Sequence, residues 1–136
     1  YVDPLPENFR RVPLMDLMSE CDFITVHVHL TEETKGMISK SCFEVIKPGV
    51  VLVNTSRGAL IDQDAMLEAL KAGRLGAAGL DVLEGEPDID NNPLVEYARK
   101  HNNLIITPHC GGFSPDAVAL VSIHATQKIF NELNGA

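Results

Sequence analysis

The stretch Val50-Val51-Leu52-Val53-Asn54-Thr55-Ser56-Arg57-Gly58 decides the fold. Val50 to Asn54 reads as a continuous apolar strand of the buried parallel type, running straight into a polar turn. Lys47-Pro48-Gly49 breaks the chain before it. After it, Asp62 to Ala72 reads as the best helix in the sequence, with Leu60, Met66, Leu67 and Leu70 pointing one way and Gly73 as its stop. Ala77-Ala78-Gly79-Leu80-Asp81-Val82 is a second buried strand. Strand, helix and strand in succession make the repeating unit of a parallel α/β sheet.

The same alternation extends both ways. Pro13-Leu14-Met15-Asp16-Leu17-Met18 predicts a short amphipathic helix ending near Ser19 to Cys21, and Phe23 to Val28 predicts a strand. Ser39 to Ile46 reads as helical, with Thr31-Glu32-Glu33-Thr34 as a helical turn before it. Toward the carboxyl end Leu104 to Thr107 is a further strand, and Asp116 to Leu133 a long closing helix. The expected order is strand, helix, strand, helix, strand, strand, helix, an α/β parallel-sheet pattern.

The 136 residues correspond to about one domain. A hydrophobic share of 45% against 22% charged residues excludes a disordered chain, and no apolar run approaches the ~20 residues of a membrane span. Eleven Lys and Arg against nineteen Asp and Glu leave a net charge of −8, the wrong sign for tracking phosphates, so neither nucleic acid nor membrane is an expected partner. Cys21, Cys42 and Cys110 form neither a CxxC pair nor a disulfide framework, which fits a reducing, cytoplasmic compartment. The amino end has neither the basic nor the apolar region of a signal peptide, and it does not begin with Met.

Open parallel sheets bind ligands beyond the carboxyl ends of their strands. Polar residues cluster there: Asn54-Thr55-Ser56-Arg57-Gly58, then Asp81 with Glu86-Pro87 five residues on, then Thr107-Pro108-His109-Cys110-Gly111-Gly112. An Arg suits a carboxylate, which its planar fork grips through two charged hydrogen bonds. A His beside a carboxylate can give a proton to a carbonyl oxygen or take one from an alcohol. Arg57, Glu86 and His109 together suit a 2-oxo acid, with the hydride left to a cofactor.

These three motifs, in this order and spacing, resemble the signatures of the D-specific 2-hydroxyacid dehydrogenase family. So does Asp22-Phe23-Ile24-Thr25-Val26-His27-Val28-His29-Leu30-Thr31, and the resemblance covers nearly the whole chain. It implies a Rossmann-like sheet and NAD as cofactor. Arg57 would be the substrate-carboxylate anchor, His109 the acid/base and Glu86 its tuning partner. Asp81 would hold the nicotinamide carboxamide, while Thr55, Ser56, Arg57 and the loop His109, Cys110, Gly111 and Gly112 line the cofactor. A small 2-hydroxy or 2-oxo acid substrate and a homodimer follow from the same resemblance. Formate dehydrogenases, a branch of this family, have Gln where this chain has Glu86, so Glu86 favours a reducible 2-oxo acid.

Two family features are missing from the sequence. No Gly-x-Gly-x-x-Gly turn occurs in the 136 residues, and nothing supplies a separate substrate domain. Residues 1–136 are therefore expected to be one partial NAD-binding domain, the incomplete second part of a doubly wound fold, lacking its glycine-rich first βαβ unit. Asp3 is a candidate for the ribose carboxylate, although its distance from Asp22 is short for that role and a residue upstream of Tyr1 fits better. NAD against NADP stays open.

The remaining titratable and nucleophilic groups carry bland readings. His27 and His29 lie two apart, on one face of a strand, but no third ligand follows at metal-site spacing, so no metal is expected; His27 could instead line the cofactor cleft. Cys110 reads as cleft wall rather than nucleophile, and Cys21 and Cys42 as helix packing. Glu84 rivals Glu86 within an acidic loop. His101 and His124 read as surface or packing residues. Beside the dehydrogenase stands a non-catalytic alternative, an NAD-sensing scaffold like the co-repressors that resemble these enzymes. A third reading is a fragment inert in isolation.

Overall fold

The computed structural model describes residues 10–134, so Asp3 lies outside the described residues. The elements are α1 (Leu14–Glu20), β1 (Phe23–Val26), α2 (Lys40–Val45), β2 (Val50–Asn54), α3 (Gln63–Lys71), β3 (Leu75–Leu80), α4 (Pro93–Ala98), β4 (Leu104–Ile106) and α5 (Pro115–Asn134), with a short 3-10 turn at Gly58–Leu60. The four strands form one all-parallel sheet in the order β1-β2-β3-β4.

The central unit forms as its sequence predicts, except that β3 runs Leu75–Leu80 rather than Ala77–Val82, because it pairs along β2 from Val50 and ends where β2 ends, at Asn54. Asp62 caps α3 by accepting the Ala65 N–H, and Ala65, Met66, Leu67, Ala69 and Leu70 form its buried face. Gly73, at φ 69°, ends it: the Gly73 N–H donates to Leu70 C=O and the Arg74 N–H to Ala69 C=O. This paired closure leaves the helix through a left-handed residue, which glycine adopts without steric cost.

Side chains alternate across the sheet. Ile24, Leu52, Ala78 and Leu104 share one register row, and Val26, Asn54, Leu80 and Ile106 the next. These rows face the core, together with the fully buried Met18, Leu60, Met66, Leu75 and Leu94. Burying each such side chain contributes about 1.5–3 kcal/mol. The intervening rows, Phe23-Val51-Ala77 and Thr25-Val53-Gly79-Ile105, are half-buried or open, with Phe23 78% and Ile105 66% exposed. The strands thus have the apolar composition of a sheet buried on two faces, but bury one.

Three other expectations are corrected. β1 stops at Val26 rather than Val28, because β2 ends opposite it at Asn54 and leaves His27 and Val28 no strand partner. A helix, α4, does lie between β3 and β4: Asn92 caps it through the Leu94 N–H and Pro93 opens it, but this start stands at the end of the run Asp88-Ile89-Asp90-Asn91-Asn92-Pro93, which reads as loop. The last helix has the expected extent but does not close the fold. None of its residues is buried, and Val121, Phe130 and Leu133 are 64–81% exposed.

Candidate active site

The register sets the site. Val26, Asn54, Leu80 and Ile106 stand in one row and each is the last residue of its strand. The next residues, His27, Thr55, Asp81 and Thr107, therefore leave the sheet along a common edge. The ladder continues one step further, with the Asp81 N–H donating to Asn54 C=O and the Thr107 N–H to Leu80 C=O.

At the end of β2, Asn54 is wholly buried and holds the turn after it. Its Oδ1 accepts the Ser56 N–H at 3.0 Å and its Nδ2 donates to Arg57 C=O at 2.9 Å. Ser56 Oγ donates to Val28 C=O, joining this turn to the segment after β1. Arg57 is exposed, and its Nη1 donates to Ser56 C=O at 2.7 Å. Gly58 is seated on the chain after β3: a Cβ there would overlap the backbone at Leu83 and Glu84. Asn54 belongs to the quoted motif, but nothing in a linear reading separated its side chain from the apolar run before it.

After β3, Glu86 is held from both ends. Its Oε1 accepts the Leu83 N–H and its Oε2 lies 2.6 Å from His109 Nδ1. The carboxylate accepts, so Nδ1 is the donor and Nε2 is the nitrogen left for other chemistry. The imidazole is 47% exposed and the carboxylate 27%, so the pair is open to solvent on the His109 side. His109 has φ 52°, a left-handed conformation that few side chains adopt, and its N–H donates to Thr107 C=O at 2.9 Å. Glu84, the rival within the acidic loop, makes no such contact with His109; Glu86 does.

Asp81 anchors the loop that carries His109. It is buried, and its Oδ1 accepts the Thr107 hydroxyl and the Cys110 N–H while its Oδ2 accepts the Gly111 N–H at 2.8 Å. Burial pushes its carboxyl up, but the Thr107, Gly111 and Cys110 hydrogen bonds and the nearby His109 outweigh that and hold it below the ordinary 3.8. The sequence reading assigned Asp81 a cofactor contact and missed this structural task, together with Thr107.

Five of the expected residues fall into two clefts, while Asp81, Cys110, Gly111 and Gly112 line neither. Glu86 and His109 line one of about 310 Å³, with Leu83, Pro87, Ile106 and Pro108. Thr55, Ser56 and Arg57 line another of about 340 Å³, with His27, His29 and Leu30. Gly58, next in the chain after Arg57, packs on Leu83, which lines the Glu86 cleft. His27 turns its Nε2 to Thr25 Oγ1 at 2.8 Å, and Cys110 is exposed beside the Asp81 clamp. At Gly112 a side chain would meet nothing, so the loop ends on open surface. Donors and clefts at the carboxyl edge of a parallel sheet fit part of a dinucleotide, the part away from the glycine-rich phosphate seat.

Residues 3–111 match the family model described as D-isomer specific 2-hydroxyacid dehydrogenase, NAD binding domain. Among curated relatives, a hydroxypyruvate reductase of Thermotoga maritima is 42% identical over 125 residues, which cover 90% of this chain and 39% of that protein. A D-3-phosphoglycerate dehydrogenase of Archaeoglobus fulgidus is 42% identical over 119 residues, covering 88% of this chain and 22% of that protein. Among solved structures, the D-lactate dehydrogenase of Aquifex aeolicus, complexed with NAD and lactic acid, superposes with a TM-score of 0.75 at 30% identity, over 91% of this chain and 40% of that one. The chain thus spans between about a fifth and two fifths of the length of these relatives.

Proposed function

The chain belongs to the D-isomer specific 2-hydroxyacid dehydrogenase family, within its NAD binding domain, and on that premise we propose that the intact protein interconverts a small 2-oxo acid and its D-2-hydroxy acid with a nicotinamide dinucleotide. The observation that carries this reading is the His109–Glu86 pair, held at 2.6 Å at the edge of the sheet where the family's cofactor domain presents its ligands.

Arg57, exposed at the end of β2, grips the substrate carboxylate through its guanidinium fork. His109 serves the C2 oxygen from Nε2, because Nδ1 is turned to Glu86. In the reductive direction Nε2–H gives its proton to that oxygen; in the oxidative direction Nε2 takes the hydroxyl proton. The hydride for C2 would come from the nicotinamide dinucleotide when it is bound. Asp81 holds the His109 loop and would meet the nicotinamide carboxamide beside it. Thr55, Ser56, Cys110, Gly111 and Gly112 border the cofactor path.

The same premise supports the finer readings. The chain would be the later part of the cofactor domain, since it lacks the glycine-rich turn and spans less than half of its relatives. The homodimer expected from the resemblance belongs to the same proposal. The cysteines, unbridged in this structure, support a cytoplasmic setting, and among the described residues no helix is long and apolar enough to cross a membrane. Net charge −8 argues against a nucleic-acid partner.

The test is NADH oxidation by the intact protein across a panel of 2-oxo acids, with NADH affinity measured in parallel by calorimetry. Turnover that disappears in the His109→Ala variant supports the reading. NADH binding without turnover on any acid would replace it with the NAD-sensing scaffold.

A further inference from the structure

The Arg57 guanidinium and the Glu86–His109 pair come from different strands and line different clefts, yet a 2-oxo acid must meet both. Their relative placement is therefore a separate structural task. Two features of the chain address it. Asn54, with no exposed surface, spans the turn after β2 and uses both ends of its amide on it, the Nδ2 on Arg57 C=O and the Oδ1 on the Ser56 N–H. Gly58, immediately after Arg57, lies so close to Leu83 and Glu84 that no side chain fits between the backbones. The Leu83 N–H in turn holds Glu86 Oε1.

We infer that Asn54 is a positioning residue for Arg57, and that with the Gly58 seat it sets the guanidinium in register with the Glu86–His109 pair. The connection is continuous. Asn54 fixes the Arg57 carbonyl; the next peptide carries Gly58 onto Leu83; Leu83 fixes the Glu86 carboxylate; Glu86 fixes the imidazole. A primary amide suits this task, because it has a donor and an acceptor about the right distance apart for one C=O and one N–H of the same turn. Aspartate has no donor for Arg57 C=O and would bring a buried charge. Alanine leaves a donor and an acceptor of the turn unpaired beneath the surface.

This inference rests on the dehydrogenase reading above, and the experiment separates the two. Steady-state kinetics are measured on the intact protein with hydroxypyruvate and NADH, for wild type, Asn54→Ala and Asn54→Ser, alongside thermal unfolding. Serine keeps one hydroxyl near the turn without spanning it, and it secures the test if alanine prevents folding. The expected result is a rise of about tenfold or more in KM for hydroxypyruvate, since displacing a group by an ångström costs up to about a hundredfold. The pH profile of kcat/KM, which belongs to His109, stays as in wild type. NADH affinity, which the Ser56 beside Asn54 also borders, changes less than KM. A fall in NADH affinity as large as the rise in KM overturns the positioning of Arg57. A lowered melting temperature with unchanged KM in the folded fraction overturns the positioning role while leaving the dehydrogenase reading intact. Absence of wild-type turnover on every 2-oxo acid overturns that reading, and the role with it.

Discussion

Oδ2 of Asp81 accepts the N–H of Gly111 at 2.8 Å, and a Cβ on Gly111 would stand 2.9 Å from that same oxygen. The residue that follows Cys110 must be small for the loop to close over Asp81. Because Asp81 is buried and also holds Thr107 and Cys110, its carboxylate has little room to give way. Gly111→Ala should weaken the clamp by about 1–3 kcal/mol in urea unfolding, and an unaltered midpoint would show that the loop adjusts freely.

Asp81 also predicts an acid response. Its carboxyl is held below the ordinary 3.8, so the clamp adds stability above that value and loses it as the pH falls through the lowered one. Wild type should therefore melt earlier with acid below about pH 4 from this group, and Asp81→Asn should remove that part of the dependence while lowering stability at pH 7. Parallel melting curves from pH 3 to 7 that keep the same acid slope in both proteins would refute the assignment.

Gly58→Ala should be among the most damaging single changes in the chain. The overlap is with backbone at Leu83 and Glu84, which cannot rotate away as a side chain would. Overpacking of this kind costs about 1–3 kcal/mol and more where backbone must move. Soluble expression and the urea midpoint measure it, and wild-type stability would mean that the two turns are not in contact in solution.

His109→Gln in the intact protein should lower kcat by about 10²–10⁴-fold, the range of a lost general acid. Glu86→Gln keeps an acceptor for the Leu83 N–H but removes the charge facing His109 Nδ1, and should give a smaller loss in the same parameter. Equal NADH affinity in all three proteins, read by calorimetry, separates proton transfer from cofactor binding.

Removal of residues 115–134 should leave the urea midpoint of the remaining body unchanged, since α5 buries none of its side chains. A loss above about 1 kcal/mol would mean that the helix docks on the body in solution. Its apolar positions Val118, Val121, Ile129 and Leu133 otherwise stay open, as does the Phe23 and Ile105 face of the sheet.

Local pattern was enough for much of this protein. The run Val50 to Asn54, the Asp62 cap and Gly73 stop of α3, and the polar stretches after each strand were all legible, because strand and helix periods and their end signals are written within a few residues. The three motifs likewise named Arg57, Glu86 and His109 without any geometry. α4 escaped because its Asn92 cap and Pro93 start end an Asp- and Asn-rich run that reads as loop. Tertiary structure alone decided what depends on contacts far apart in the chain. The pairing of His109 with Glu86 rather than Glu84, the Asp81 clamp across about 30 residues, the seating of Gly58 on Leu83 and the burial of Asn54 are of that kind. So is the packing of the last helix: its sequence determined that it forms, but a helix buries an apolar face only where another surface meets it, and residues 10–114 leave that face bare.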